Sequence, residues 1–119
     1  MDFDAVVTDI VESVPGAVAS VIMANDGVPL AEYRAAEGSM DVATLAVEYT
    51  TVINEIRKAS EVLEAGAFEE LMVRSEGLIF VVRLINEEFY IAAALTPAGN
   101  YGKGRYKLRL AAPQLATEL

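Results

Sequence analysis

No proline or glycine interrupts residues 41–64, and within them Val42, Leu45, Tyr49, Val52, Ile56, Ala59 and Leu63 recur at steps of three and four. That period belongs to one face of an α-helix, since a strand repeats every two residues. The rest of the chain must be arranged around one long amphipathic helix. Gly66 stands just past its end, where glycine suits a C-cap.

On the N-terminal side, Phe3, Val6, Val7, Ile10 and Val11 repeat at helical spacing and stop before Val14-Pro15-Gly16, which predicts a short first helix. Residues 17–24 are apolar and rich in β-branched side chains, and Asn25-Asp26-Gly27 is a hairpin turn signal. Residues 28–33 continue as the second strand, followed by a soft segment over 35–39. Beyond the long helix, strand-like runs over 68–74, 78–85 and 89–95 are separated by Ser75-Glu76-Gly77 and Asn86-Glu87-Glu88, connections short enough for a meander. In the tail, Lys103, Arg105, Lys107 and Arg109 alternate with less polar residues as a strand would, while Tyr101, Leu108, Ala112 and Leu115 fit a helix that Pro113 would disturb. On these residues alone both readings stand.

The sum is an α+β fold: a five-stranded antiparallel sheet with helices on both faces, in the order α-β-β-α-β-β-β-α. The length of 119 residues suits a single domain over 1–119, and 54% hydrophobic residues suffice for a core without disulfides or metals.

The chain has neither cysteine nor histidine, which removes thiolate metal sites, the commonest general base and the commonest metal ligand together. We expect no catalytic residues, metal or cofactor. A net charge of −9 repels phosphate backbones and anionic membrane surfaces, so neither nucleic acid nor membrane insertion is expected. The acidic start Met1-Asp2-Phe3-Asp4 is unlike a basic secretory signal, which points to the cytoplasm. Gly99, Gly102, Lys103 and Gly104 do not make a phosphate loop, because the spacing is two residues short and no serine or threonine follows the lysine. Glu69-Glu70 and Glu87-Glu88 are adjacent pairs; neighbours on a strand point to opposite faces, so they read as solubilising charges.

On a helical wheel centred on Leu45, Tyr49 and Ile56, one flank of the long helix carries Asp41, Glu48 and Glu55, and the other Ala43, Ala46, Thr50 and Ile53. The acidic ridge is either a solvated edge or a partner-docking surface that steers association. The small flank is either the margin of a wide core face or the place where a partner helix approaches. The tail cations suit capping and clamping of the last element, or contact with an acidic partner. Arg74 and Arg83 suit buried anchors or interface positions.

The element order, the Asn25-Asp26-Gly27 hairpin, the uninterrupted helix and an Asn-x-Gly-x-x-Arg motif at Asn100, Gly102 and Arg105 together resemble the Roadblock (dynein light-chain type) family, near its bacterial MglB type. The resemblance spans nearly the whole chain. It implies that the tail is a helix, from Asn100 as N-cap to about Ala112. It implies a homodimer or heterodimer in which the strand opening the meander, with Phe68, Leu71, Met72 and Val73, pairs with its copy. The long helices would then lie side by side through Ala43, Ala46, Thr50 and Ile53. It further implies a non-enzymatic regulator or scaffold for a Ras-like small GTPase. A small-molecule sensor domain is the alternative.

Overall fold

Asp2 starts the first helix: its carboxylate accepts the Ala5 N–H at 3.1 Å, satisfying one of the otherwise unpaired first-turn amides. In the computed structural model, which describes residues 1–35 and 41–119, helix α1 spans Phe3–Ser13 and buries Val7, Ile10 and Val11. It ends at Ser13, before Val14-Pro15-Gly16, as the sequence predicts. Gly16 has φ +84°, and a side chain there would meet the Gly99 backbone at 2.4 Å. This close approach lets the Thr96 N–H reach the Gly16 carbonyl at 2.9 Å, joining the start of the chain to its end.

Strands β1 (Ala17–Ala24), β2 (Pro29–Arg34), β3 (Glu70–Arg74), β4 (Ile79–Leu84) and β5 (Phe89–Leu95) form one sheet in the order β2-β1-β5-β4-β3. Every neighbouring pair is antiparallel. Gly27, at φ +87°, turns the first hairpin. Helices α2 (Val42–Val62) and α3 (Tyr101–Ala116) complete the expected order. Of the soft segment over 35–39, all but Ala35 lies outside the described residues.

Alternation divides the sheet residues between two cores. Ile22, Ile79, Val81, Ile91, Ala93 and Leu95 pack with Val7, Ile10, Leu108 and Leu115 beneath α1 and α3. Ala19, Val21, Met23, Phe80, Val82, Tyr90, Ala92 and Ala94 pack with Val42, Ala46 and Ile53 of α2. Helix α2 packs chiefly on β1 and β2. On that face Leu71, Val73, Leu78 and Leu84, toward the β3 edge, remain half-buried.

Three sequence expectations need correction. The buried stripe of α2 is Val42, Ala46, Thr50 and Ile53, not the one centred on Leu45, Tyr49 and Ile56, which are half-buried. Strand β3 begins at Glu70 rather than 68. The residue that turns the chain out of α2 is Glu64, at φ 53°, and not Gly66. Its N–H donates to the Glu61 carbonyl at 3.1 Å, and the Ala65 N–H donates to the Ser60 carbonyl at 3.0 Å, which is a Schellman closure with a glutamate in the left-handed position. Glu64→Gly removes that residue's steric cost and is expected to stabilise the protein by about 1 kcal/mol, read as a higher urea midpoint at fixed protein concentration.

The tail is a helix. Asn100 accepts the Lys103 N–H at 3.0 Å as the N-cap, and α3 runs past Ala112 to Ala116. Pro113 is tolerated because it lies exposed in the last turn, where its missing N–H costs one backbone bond.

Candidate interaction surface

The inward side of α2 is fastened by three oxygens. The Thr50 and Tyr90 hydroxyls lie 2.8 Å apart, and they approach the Ala46 carbonyl at 2.8 and 2.9 Å. Burial pushes the Tyr90 hydroxyl pKa above its ordinary value, against the pull of its bond to Thr50. The small flank expected to meet a partner is thus turned toward the protomer's own sheet at Ala46, Thr50 and Ile53, and only Ala43 is left half-buried. Small residues are needed there because Tyr90 rises from β5 beneath the helix axis.

The flank of the helix beside this stripe is apolar as well. Leu45, Tyr49 and Ile56 are half-buried and Val52 is exposed. Tyr49 stacks on Phe80 at 4.7 Å between ring centroids, carrying this apolar face from the helix onto β4. It continues through Phe68, Leu71 and Val73 to β3, which lies at the sheet edge. Met72, expected with them, points the other way, because it alternates with Leu71 and Val73 and is exposed. Helix face and strand edge therefore form one continuous apolar surface.

The three acidic residues expected on a docking ridge have different surroundings. Asp41 is the N-cap of α2: it accepts the Thr44 N–H at 3.2 Å and the Thr44 hydroxyl at 2.9 Å. These bonds, the hydroxyl's foremost, hold its carboxyl below the usual range, with the charge of Arg34 assisting. Glu55 pairs with Lys58 at 3.4 Å in solvent, where such pairs add little. Glu48 is exposed.

Arg57 has a role that its helical position does not suggest. It donates to the Asn86 carbonyl at 3.0 Å and to Asn25 Oδ1 at 3.5 Å, while Asn25 Nδ2 donates to the Glu87 carbonyl. The end of α2 is so tied to the β1–β2 and β4–β5 turns, and burial holds the Arg57 pKa below its ordinary value.

The tail cations clamp. Arg105 meets Glu70 through two bonds of 2.6 and 2.9 Å, fixing α3 to β3. Lys107 reaches Asp9 of α1 at 2.7 Å, and Arg83 reaches Glu69 at 3.3 Å. Glu69 and Glu70 are thus each held by an arginine. The bond from Arg105 holds the Glu70 carboxyl below its ordinary value of 4.5, and the charges of Arg83 and Arg109 act in the same direction. A depressed folded pKa means that the stability contributed by Glu70 is complete above about pH 4.5 and is lost as pH falls through the lower folded value. Glu70→Gln is expected to flatten the decline of the urea midpoint below that pH while leaving its slope near neutrality unchanged.

Among the described residues no group of three or more carboxylates is placed to hold a metal ion, and no helix is long and apolar enough to cross a membrane.

A family model described as the Roadblock/LC7 domain matches residues 4–95. Among solved structures, MglC from Myxococcus xanthus is 34% identical, with a TM-score of 0.70 and 100% of both chains covered. A Roadblock/LC7 domain from Streptomyces avermitilis is 15% identical, with a TM-score of 0.84 over 99% of this chain and 98% of that one. The gliding protein MglB from Thermus thermophilus is 19% identical, with a TM-score of 0.82 over 95% of this chain and 84% of that one; at such identities the likeness concerns the fold. Comparison with curated proteins by sequence gives no match.

Proposed function

The chain belongs to the Roadblock/LC7 domain family, and from that premise we propose that it acts as a dimer that regulates or scaffolds a Ras-like small GTPase. One observation carries the reading: the flank of α2 with Leu45, Tyr49, Val52 and Ile56 leads through the Tyr49–Phe80 stack to the apolar row of edge strand β3. A helix needs an apolar arc only wide enough to pack on its own sheet, and that of α2 runs on from Val42, Ala46, Thr50 and Ile53 through Leu45, Tyr49 and Ile56 to the exposed Val52. Pairing of β3 with its copy would occupy the edge's backbone donors and acceptors and bring the two α2 helices together. A stable interface of this kind buries on the order of 2,000 Å² with an apolar centre.

In such a dimer Glu48 and Glu55 lie beside the joined helices, where their charge would steer a GTPase and select its register. The protein would act by preferring one arrangement of the GTPase switch loops, and the shift it can impose is bounded by that difference in affinity. An enclosed ligand chamber, as a sensor would need, is disfavoured by Ile79, Val81, Ile91 and Ala93, which fill the sheet interior with no solvent exposure.

The test combines light scattering with titration against Ras-like GTPases of the same cell, each loaded with GDP or with a non-hydrolysable GTP analogue. The expected result is a dimer that binds at least one of them with unequal affinity for the two states. A dimer that binds none would make the protein a scaffold for other partners, and a monomer would remove the interface.

A further inference from the structure

We propose that the cup between β3, β4 and the first turns of α3 is a docking site for an acidic segment of a partner protein, taking a carboxylate side chain among Arg83, Arg105 and Arg109. The cup has a volume of about 180 Å³ and is lined by these arginines with Glu70, Gly102 and Tyr106. It lies on the face of the sheet opposite α2, and it does not rest on the GTPase reading.

Charge distribution is the first support. The protein carries −9, yet six of its nine cations lie on β3, β4 and α3. Helix α3 has four of them and no carboxylate. A basic surface on an acidic molecule is complementary to an acidic partner segment.

The cup's own chemistry is the second. Glu70 already sits among the guanidinium groups, bound through both oxygens by Arg105, so the geometry that accepts a carboxylate is built. Glu70 and Glu69, the latter on Arg83, leave the three arginines with an excess of positive charge. The Arg109 guanidinium lies 5.5 Å over the Tyr106 ring, an arrangement that orients it and leaves its N–H edge for an acceptor.

The third support is access. Gly102, in the first turn of α3, would present a side chain with only Asn100 Oδ1 nearby, at 3.6 Å, so no side chain of its own covers the cup here. Beside the cup, Arg74 lies 5.6 Å over the exposed Tyr101 ring and extends the basic, aromatic surface along β3. A guanidinium fork pairs with a carboxylate through two parallel bonds, which gives register as well as attraction.

The experiment titrates the full chain with a short fluorescent peptide alternating glutamate and glycine, and with its glutamine counterpart. The glutamate peptide should bind, weaken as salt rises, and shift the backbone amide resonances of Gly102 and Tyr106, whereas the glutamine peptide should not bind. Arg109→Glu should weaken binding by about tenfold or more with an unchanged far-ultraviolet spectrum, Arg109→Lys should weaken it less, since it keeps the charge and loses the fork, and Lys58→Glu on α2 should have no effect. Absence of binding, equal binding of the glutamine peptide, or an Arg109→Glu variant that binds as wild type does would overturn the proposal. Tighter binding of a single-stranded oligonucleotide through the same residues would overturn it in favour of nucleic acid.

Discussion

Ile53→Asp is expected to abolish folding rather than merely separate a dimer. Ile53 has no solvent exposure and packs in the cluster with Val21, Phe80 and Tyr90 beneath α2. The substitution removes apolar burial worth about 2–5 kcal/mol for large-to-small changes. It also places a carboxyl group where no hydrogen-bonding partner awaits it, at a further cost of several kcal/mol. Against a total stability of about 5–15 kcal/mol for a domain, that is enough to unfold the chain. Circular dichroism should show lost structure and light scattering should show aggregate. Val52→Asp, one residue away, supplies the contrast: Val52 is 46% exposed, so the fold should survive while the dimer dissociates. A folded, dimeric Ile53→Asp protein would mean that α2 is rotated from the orientation described. A folded Val52→Asp protein that stays dimeric at all concentrations would remove the outward face from the interface.

These neighbouring residues also mark where the sequence stops being readable. Helix α2 has one wide apolar arc, and spacing alone favours the half with the larger side chains. The face that packs on the sheet holds Ala46 and Thr50 because the bulk comes from the other side of the contact, from Tyr90. Size complementarity across positions 40 apart in the chain leaves no periodic trace. In α3 the trace is present but half of it is carried by small residues: Gly104, Leu108, Ala112 and Leu115 are buried at helical steps, while the conspicuous Lys-Arg alternation puts Arg105 and Arg109 on one side of the helix and Lys103 and Lys107 on the other. Strands, turns and the Asn100 cap were legible because each depends on a few consecutive residues. The Arg105–Glu70 and Arg57–Asn86 bonds join distant segments, so only the residue types hinted at clamps. The two expected site groups on α2 were separated in the same way: Asp41 is engaged by its own first turn, and Ile53 by the core.

Alanine substitution of Arg34, Arg57, Arg74, Arg83, Arg105 and Arg109, one at a time, is expected to leave any stimulation of a partner GTPase within the range explained by changes in affinity. An arginine finger supplied in trans contributes about 10³ to 10⁵ in rate by neutralising charge in the phosphoryl-transfer transition state. Such a residue must leave its resting contacts and reach into the nucleotide site of another protein. Arg57 is held by Asn86 and Asn25, Arg83 by Glu69 and Arg105 by both oxygens of Glu70. Arg74 and Arg109 lie over tyrosine rings, and Arg34 ends β2 within electrostatic reach of Asp41. Extending Arg57, Arg74, Arg83 or Arg105 would forfeit interactions that join elements of the fold. The remaining route is preferential binding of one switch-loop arrangement, and moving a switch from 1:99 to 99:1 requires about 10⁴-fold preference. The measurement is partner GTP turnover at saturating concentrations of each variant, beside its dissociation constants for the GDP and GTP-analogue states. Losses that follow the ratio of those constants support switch selection. A single substitution that cuts turnover by about 10³-fold or more, with dimer and affinity intact, identifies a finger and ends the switch-selection mechanism.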